Sequence, residues 1–254
     1  MLDKLWKENL ASLVYPNRCF LCQHILTSSA ASAATSNSRH AYCQACEEEV
    51  CGDLIQRCYT CGAVTNVNNP FGECCRLCRE LNVRYQRAVA IGDYRGLLQQ
   101  AVVQMKGQKS DVMAIQFGKL LADLFDKFEI PEDIDLIVPI PTHWTRRIQR
   151  SGFHASALIA EGIRRKTGWS LQGSVLKQQR RTTKQGTLSI RQRYQNLKGA
   201  YAINPRKSVQ DMQILLVDDV MTSCATATEA TNVLLSAGAS RVFVAVVARG
   251  ARVS

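Results

Sequence analysis

The chain has 254 residues, 46% of them apolar and 21% charged, and its 32 basic against 21 acidic residues leave a formal charge of +11. That composition excludes a disordered chain and fits one large domain plus a small one. No stretch approaches the roughly 18 uninterrupted apolar residues of a membrane span, and the longest runs, such as 214–217, are strand-sized.

Residues 1–16 carry Asp3, Lys4, Lys7 and Glu8 among their apolar residues. A secretory signal needs an uninterrupted apolar core of about 7 to 15 residues, so a cytoplasmic location is expected. Leu2, Leu5, Trp6, Leu10 and Leu13 recur at helical spacing and predict a short amphipathic helix.

Ten of the eleven cysteines lie between Cys19 and Cys78, and eight form four CxxC pairs: Cys19 with Cys22, Cys43 with Cys46, Cys58 with Cys61, and Cys75 with Cys78. Two residues between cysteines let a tight turn present both thiolates to one tetrahedral ion at about 2.3 Å, so four such turns could close one or two structural zinc sites. A disulfide framework is the competing reading. The odd total and a reducing compartment disfavour it. The pairs can share metals sequentially or in a cross-braced order, and the sequential ribbon is favoured. Cys51 and Cys74 are left over as small buried filler, although Cys74 could replace its neighbour Cys75 as a ligand. The Ser/Ala-rich segment 27–40 reads as a flexible loop. Each zinc held by four thiolates adds a net −2, so two filled sites bring the working charge from +11 to about +7.

Residues 1–90 hold nine basic and eight acidic residues, whereas residues 91–254 hold 23 and 13. Within 146–207 there are fifteen basic residues against the single acid Glu161. Such a segment attracts polyanions, either a phosphorylated small molecule or a nucleic acid, unless it is only a solvated surface. Few aromatics accompany it (Phe153, Trp169, Tyr194 and Tyr201), so a base-stacking platform is weakly supported.

Strands are predicted over 87–92, 135–141, 213–217 and 241–248, and helices over 97–105, 112–128, 153–165 and 225–236. Pro139 and Pro141 stop the second strand, and Gly168 and Gly238 close two of the helices. Strands alternating with helices predict a parallel α/β sheet covered on both faces, with its ligand site beyond the carboxyl ends of the strands.

The informative point is the end of the strand at 213–217, where Asp218 and Asp219 meet the hydroxyl-rich turn 222–226 just before a helix. The two acids can accept hydrogen bonds from a vicinal diol or hold a metal. The backbone N–H groups of Thr222, Ser223, Cys224, Ala225 and Thr226 converge at a helix N-terminus, which favours a phosphate. A ribose bearing a terminal phosphate fits both features. An ordinary strand end with an acidic first turn is the bland reading. A nucleotide hydrolase is excluded by the lack of a GxxxxGK[ST] loop.

The segment LLVDDVMTSCAT at 215–226 resembles the phosphoribosyl pyrophosphate signature of type I phosphoribosyltransferases, and its surroundings resemble the ComF family. The four CxxC pairs resemble that family's double zinc ribbon. Tyr94-Arg-Gly with Met105-Lys106 resembles the segment before its core, and Val138-Pro-Ile-Pro-Thr-His143 its pyrophosphate-loop strand. Residues 181–189 with Arg191, Arg193, Asn196 and 199–201 resemble its basic central motif.

The resemblance implies a zinc ribbon domain over 1–84 and a phosphoribosyltransferase-like domain over 85–254. It implies that Asp218 and Asp219 contact the ribose hydroxyls of phosphoribosyl pyrophosphate, which arrives with Mg²⁺, and that residues 222–226 cradle its 5′-phosphate. Ile140, Pro141 and Thr142 would face the pyrophosphate, and Arg181 with Gln185 would lie on the stretch that covers the site, its positive charge stabilising the leaving group. The acceptor and the oligomeric state are not written in the sequence. A link of the family to DNA uptake in transformation implies a second, non-enzymatic possibility: a protein that engages single-stranded DNA through the basic segment and the ribbon.

Two positions depart from the family pattern. Cys224 stands where glycine is usual, and a Cβ there penalises positive φ. Ser151-Gly-Phe-His-Ala155 stands where Arg-Gly-Phe-Asn-Gln is common, with Arg150 one residue earlier as partial compensation. Cys224 at a helix N-terminus also raises the idea of a reactive thiol, and His143 and His154 that of phosphate contacts; a substituted glycine and solvated histidines are the plainer readings.

Overall fold

The computed structural model describes residues 18–25, 42–51, 57–64, 74–108, 110–141, 154–180, 182 and 189–250. The helix expected over 2–13, the loop at 27–40, and Thr142, His143, 151–153, Arg181 and Gln185 lie outside the described residues. The chain divides into two compact units, Met1–Gly52 and Asp53–Ser254. The first two CxxC pairs therefore fall in the smaller unit and the last two in the larger.

In the smaller unit, α1 (Gln44–Cys51) follows Cys43, and Phe20 meets Tyr42 edge-on with ring centroids 5.9 Å apart. The larger unit begins with the turns around Cys58 and Cys61 and α2 (Arg76–Glu80). Its centre is a four-stranded sheet of β1 (Ala88–Asp93), β2 (Leu136–Pro139), β5 (Gln213–Met221) and β6 (Arg241–Arg249). The order is β1-β6-β5-β2 and every pairing is parallel. The parallel α/β sheet flanked by helices and preceded by Cys-rich turns is as the sequence predicts. Val89, Ile91, Ile137, Val138, residues 214–217 and residues 244–248 are fully buried, which is why these strands read as continuous apolar runs.

The helices are α3 (Gly96–Gln108), α4 (Asp111–Asp123), α5 (Ala155–Thr167), α6 (Ile190–Leu197) and α7 (Ala225–Ser236). Helix α4 stops at Asp123, and a short 3₁₀ turn, Asp126–Phe128, replaces the last part of the helix expected to 128. Helices α4 and α5 cross at Gly118 and Gly162. A Cβ on Gly118 would lie 2.0 Å from the Ile159 carbonyl oxygen and one on Gly162 2.1 Å from that of Ile115, so only glycine admits this contact. A small two-stranded antiparallel sheet of β3 (Leu176–Gln178) and β4 (Tyr201–Ile203) stands apart from the main sheet. Among the described residues, no helix is long and apolar enough to cross a membrane.

Candidate functional site

Parallel pairing of β2 with β5 sets Pro139 against Val217, and the Ile140 amide donates to the Val217 carbonyl at 2.9 Å. The start of α5 is fastened to the same corner, because the buried Ser156 hydroxyl donates to the Ile140 carbonyl at 2.9 Å. Ile140 thus sits beside Val217, just before the two acids of β5, with Pro141 next along the chain. His154 caps α5, its Nδ1 accepting from the Ala157 amide at 3.1 Å, which gives this side chain a structural duty.

Strand β5 continues past Val217 through both acids to Met221, in register with β6 as far as Arg249. The sequence reading ended the strand at 217; pairing to β6 overrides the local acidity. Successive strand residues face opposite ways. Accordingly Asp218 lines a depression of about 290 Å³ together with residues 220–227 and Val246, while Asp219 Oδ2 lies 2.8 Å from Lys106 Nζ on α3. The Asp218 carboxylate accepts from the Asp219 amide at 2.8 Å. Burial, and then the neighbouring Asp219 charge, push Asp218 up to about 7.

The turn between β5 and α7 supplies the rest of the depression. Cys224 occupies the N-cap position of α7 with φ 61°, and no side chain caps that end of the helix. The first N–H groups of α7 are thereby left for an anion. Ser223 is buried, Thr222 is exposed, and the Arg193 guanidinium from α6 donates to the Thr222 hydroxyl at 2.8 Å. Helix α6 holds this arginine through a capping box between Ser189 and Gln192. The structure therefore gathers Asp218, residues 222–226 and Arg193 at one point, with Ile140 and Pro141 just past the end of the adjoining β2. Lys106 and Arg193 were legible only as parts of wider motifs.

Cys224 combines its left-handed backbone with a sulfur turned inward. It is 1% exposed, and the guanidinium of Arg249 lies 3.4 Å from its sulfur. Contact with Cys61 pushes the Cys224 thiol up to about 11. A buried thiol raised in this way is not a reactive nucleophile.

Two groups of four cysteines come together, Cys19, Cys22, Cys43 and Cys46 in the smaller unit and Cys58, Cys61, Cys75 and Cys78 in the larger, with all sulfurs of a group within 4.8 Å of one another. This is the sequential pairing. Sulfur pairs Cys19–Cys46, Cys22–Cys43 and Cys61–Cys75 are each 3.7 Å apart. Four thiolates at about 2.3 Å from a tetrahedral ion would stand roughly 3.8 Å from each other, so both donor sets could hold zinc. Backbone amides of Cys43 and Cys75 donate to the Cys19 and Cys58 sulfurs at 3.3 Å, as ligated thiolates require. Cys74 stands outside the second group, so Cys75 is the ligand candidate. The cysteines of both groups, together with Cys74 and Cys224, are free of disulfides.

No family model matches the chain. Curated relatives do. The DNA utilization protein YhgH of Salmonella typhimurium is 29% identical over 239 residues, covering 91% of this chain and 96% of that protein. That of Escherichia coli K12 is 28% identical over 239 residues with the same shares covered. Competence protein F of Haemophilus influenzae is 24% identical over 214 residues, covering 82% of this chain and 90% of that protein. Solved structures align with about half of the chain. TT1426 from Thermus thermophilus is 15% identical, with 52% of this chain and 72% of that one covered and a TM-score of 0.33. L. donovani hypoxanthine-guanine phosphoribosyl transferase is 16% identical, with 52% and 64% covered and a TM-score of 0.30.

Proposed function

We propose that this ComF-like chain, homologous over most of its length to the DNA utilization and competence proteins above, binds phosphoribosyl pyrophosphate as its Mg²⁺ complex at the carboxyl end of β5. The observation that carries the reading is the joining of Asp218 to the uncapped N-terminus of α7 in one depression. A carboxylate there accepts hydrogen bonds from ribose hydroxyls, and amides of residues 222–226 donate to a terminal phosphate. Asp219 acts on the same corner through its pairing with Lys106. Arg193 adds positive charge at the rim, and the basic stretch carrying Arg181 and Gln185 supplies more for a leaving pyrophosphate. The thiolate centres suit a reducing, cytoplasmic setting. Zinc, where bound, contributes structural cross-linking of the turns that hold it.

Calorimetric titration with phosphoribosyl pyrophosphate, with and without Mg²⁺, tests the reading against the Asp218→Asn/Asp219→Asn double variant. Binding that needs the acids supports it. Failure of the wild-type protein to bind up to millimolar ligand overturns it.

A second reading, single-stranded DNA binding by the basic segment 146–207, is favoured by the fifteen-to-one charge ratio and fits relatives named for DNA utilization and competence. The two are compatible, because a ligand bound under Arg193 would alter the basic surface that meets the nucleic acid.

A further inference from the structure

Arg249 is the last residue of β6, paired in register with Met221, and its side chain is 1% exposed. Its guanidinium makes no ion pair with a carboxylate among the described residues. Instead Nε donates to the Cys61 carbonyl at 3.0 Å, and Nη1 to the carbonyls of Met221 at 2.9 Å, Gly250 at 2.8 Å, and Thr222. Nη2 faces two sulfurs, Cys61 at 3.7 Å and Cys224 at 3.4 Å. One buried cation thus touches the second cysteine group on one side and the turn 221–224 on the other.

A guanidinium enclosed this way, among carbonyls, thiols and the Tyr85 phenol, is costly unless its hydrogen-bond partners are held in place and an opposite charge lies close by. Four thiolates around one Zn²⁺ supply that charge, a net −2 beside Nη2. The ion also fixes the turn that carries the Cys61 carbonyl and sulfur, the two groups on which this side of Arg249 rests. The packing leaves little room for Arg249 to adjust alone: a Cβ on the next residue, Gly250, would lie 2.7 Å from the Thr222 side chain.

We propose that Arg249 couples the Cys58–Cys61–Cys75–Cys78 metal centre to the turn 221–224, so that metal occupancy of that centre holds the turn in its binding-ready form. Loss of metal frees the turn that carries Cys61, and with it two of the contacts that hold the buried cation. The guanidinium then leaves its pocket for water and releases the Met221 and Thr222 carbonyls, and the turn loosens. Coupling is reciprocal, so removing Arg249 weakens metal binding at the second centre and leaves the first, in the other unit, unchanged. That this turn cradles a phosphate rests on the function proposed above; the coupling itself does not.

Hydrogen exchange on the full-length chain tests this, with zinc loaded and then removed by chelation. Amides of 222–226 are expected to lose at least tenfold in protection on zinc removal while β2 and α5 keep theirs. Equal protection with and without zinc would overturn the coupling, as would a loss spread evenly over the whole larger unit. Competition with a chromophoric chelator gives the reciprocal readout: Arg249→Gln should release the second zinc at least tenfold more readily than the wild type, with Arg249→Lys intermediate. Unchanged release in both variants also overturns it. A zinc-loaded wild-type protein whose turn responds to metal but which fails to bind phosphoribosyl pyrophosphate would sink the proposed ligand and leave the coupling standing.

Discussion

Lys106 Nζ stands 2.8 Å from Asp219 Oδ2, so the two adjacent acids of β5 live in different electrostatic surroundings. Asp219 has a cation at hand, whereas Asp218 is held up to about 7 by burial and by the Asp219 charge. A carboxyl raised in the folded state from its usual value near 4 costs stability when it must ionise. That cost is absent below about pH 4, grows toward pH 7, and is complete above it. Asp218→Asn should therefore be more stable than the wild type at pH 8, by roughly 1–3 kcal/mol given its partial exposure, and the two should converge near pH 4. Urea denaturation across that range checks the sign.

The same titration acts on binding. Ionised Asp218 is the better acceptor for ribose hydroxyls, so affinity for phosphoribosyl pyrophosphate should rise from pH 6 to pH 8. Lys106→Met removes the cation that eases the pair, moving the midpoint of this rise upward. Calorimetry at several pH values reads both, and a pH-independent affinity would refute the role given to Asp218.

Cys224 combines a left-handed backbone with a buried sulfur, and two substitutions separate these effects. Cys224→Ala keeps the Cβ penalty and loses the sulfur contact with Arg249, so it should destabilise by about 1–2 kcal/mol. Cys224→Gly also loses the sulfur but relieves the backbone, which is worth about 1 kcal/mol at a positive φ. Glycine should thus exceed alanine in stability here, the reverse of their order in a helix interior. Denaturation midpoints of the two variants decide it.

Much of this architecture was legible because burial imposes simple patterns. Strand 241–249 is apolar almost throughout, and helix 225–236 ends where Gly238 permits φ 97°. The antiparallel pair at 176–178 and 201–203 was not legible, since three-residue strands carry no period and each one's partner lies far along the chain. The spacing of the cysteines gave the donor pairs, while which pairs meet is a property of the folded turns. Arg249 was missed for a related reason. An arginine closing an apolar strand reads as a solvated end, and only the fold places it between Cys61 and Cys224. The glycine beside it, packed on Thr222, was the one local sign of a crowded corner.

Gly118 tests the helical layer. Any Cβ there meets the Ile159 carbonyl at 2.0 Å, and the obstacle is backbone, so helices α4 and α5 must separate. Gly118→Ala should cost at least about 2 kcal/mol despite alanine's better helix propensity, and calorimetric unfolding would show it as a lower Tm. Gly107→Ala, at a position in α3 where an added Cβ meets nothing, should be neutral or stabilising and serves as the control.

The basic segment makes the last prediction. If fifteen Lys or Arg residues in 146–207 engage nucleic acid through its phosphates, each contact releases a counterion, and affinity must fall with salt. Six or so contacts to a single strand would give a logarithmic slope near −4, a loss of several hundredfold between about 50 and 200 mM salt. Arg193→Gln removes one cation at the rim of the β5 depression and should shallow the slope by roughly 0.7. Fluorescence anisotropy with a labelled single-stranded oligonucleotide measures the slope. A flat response would assign the positive charge to the phosphorylated small molecule alone, and a slope unaltered by Arg193→Gln would place the nucleic acid away from this rim.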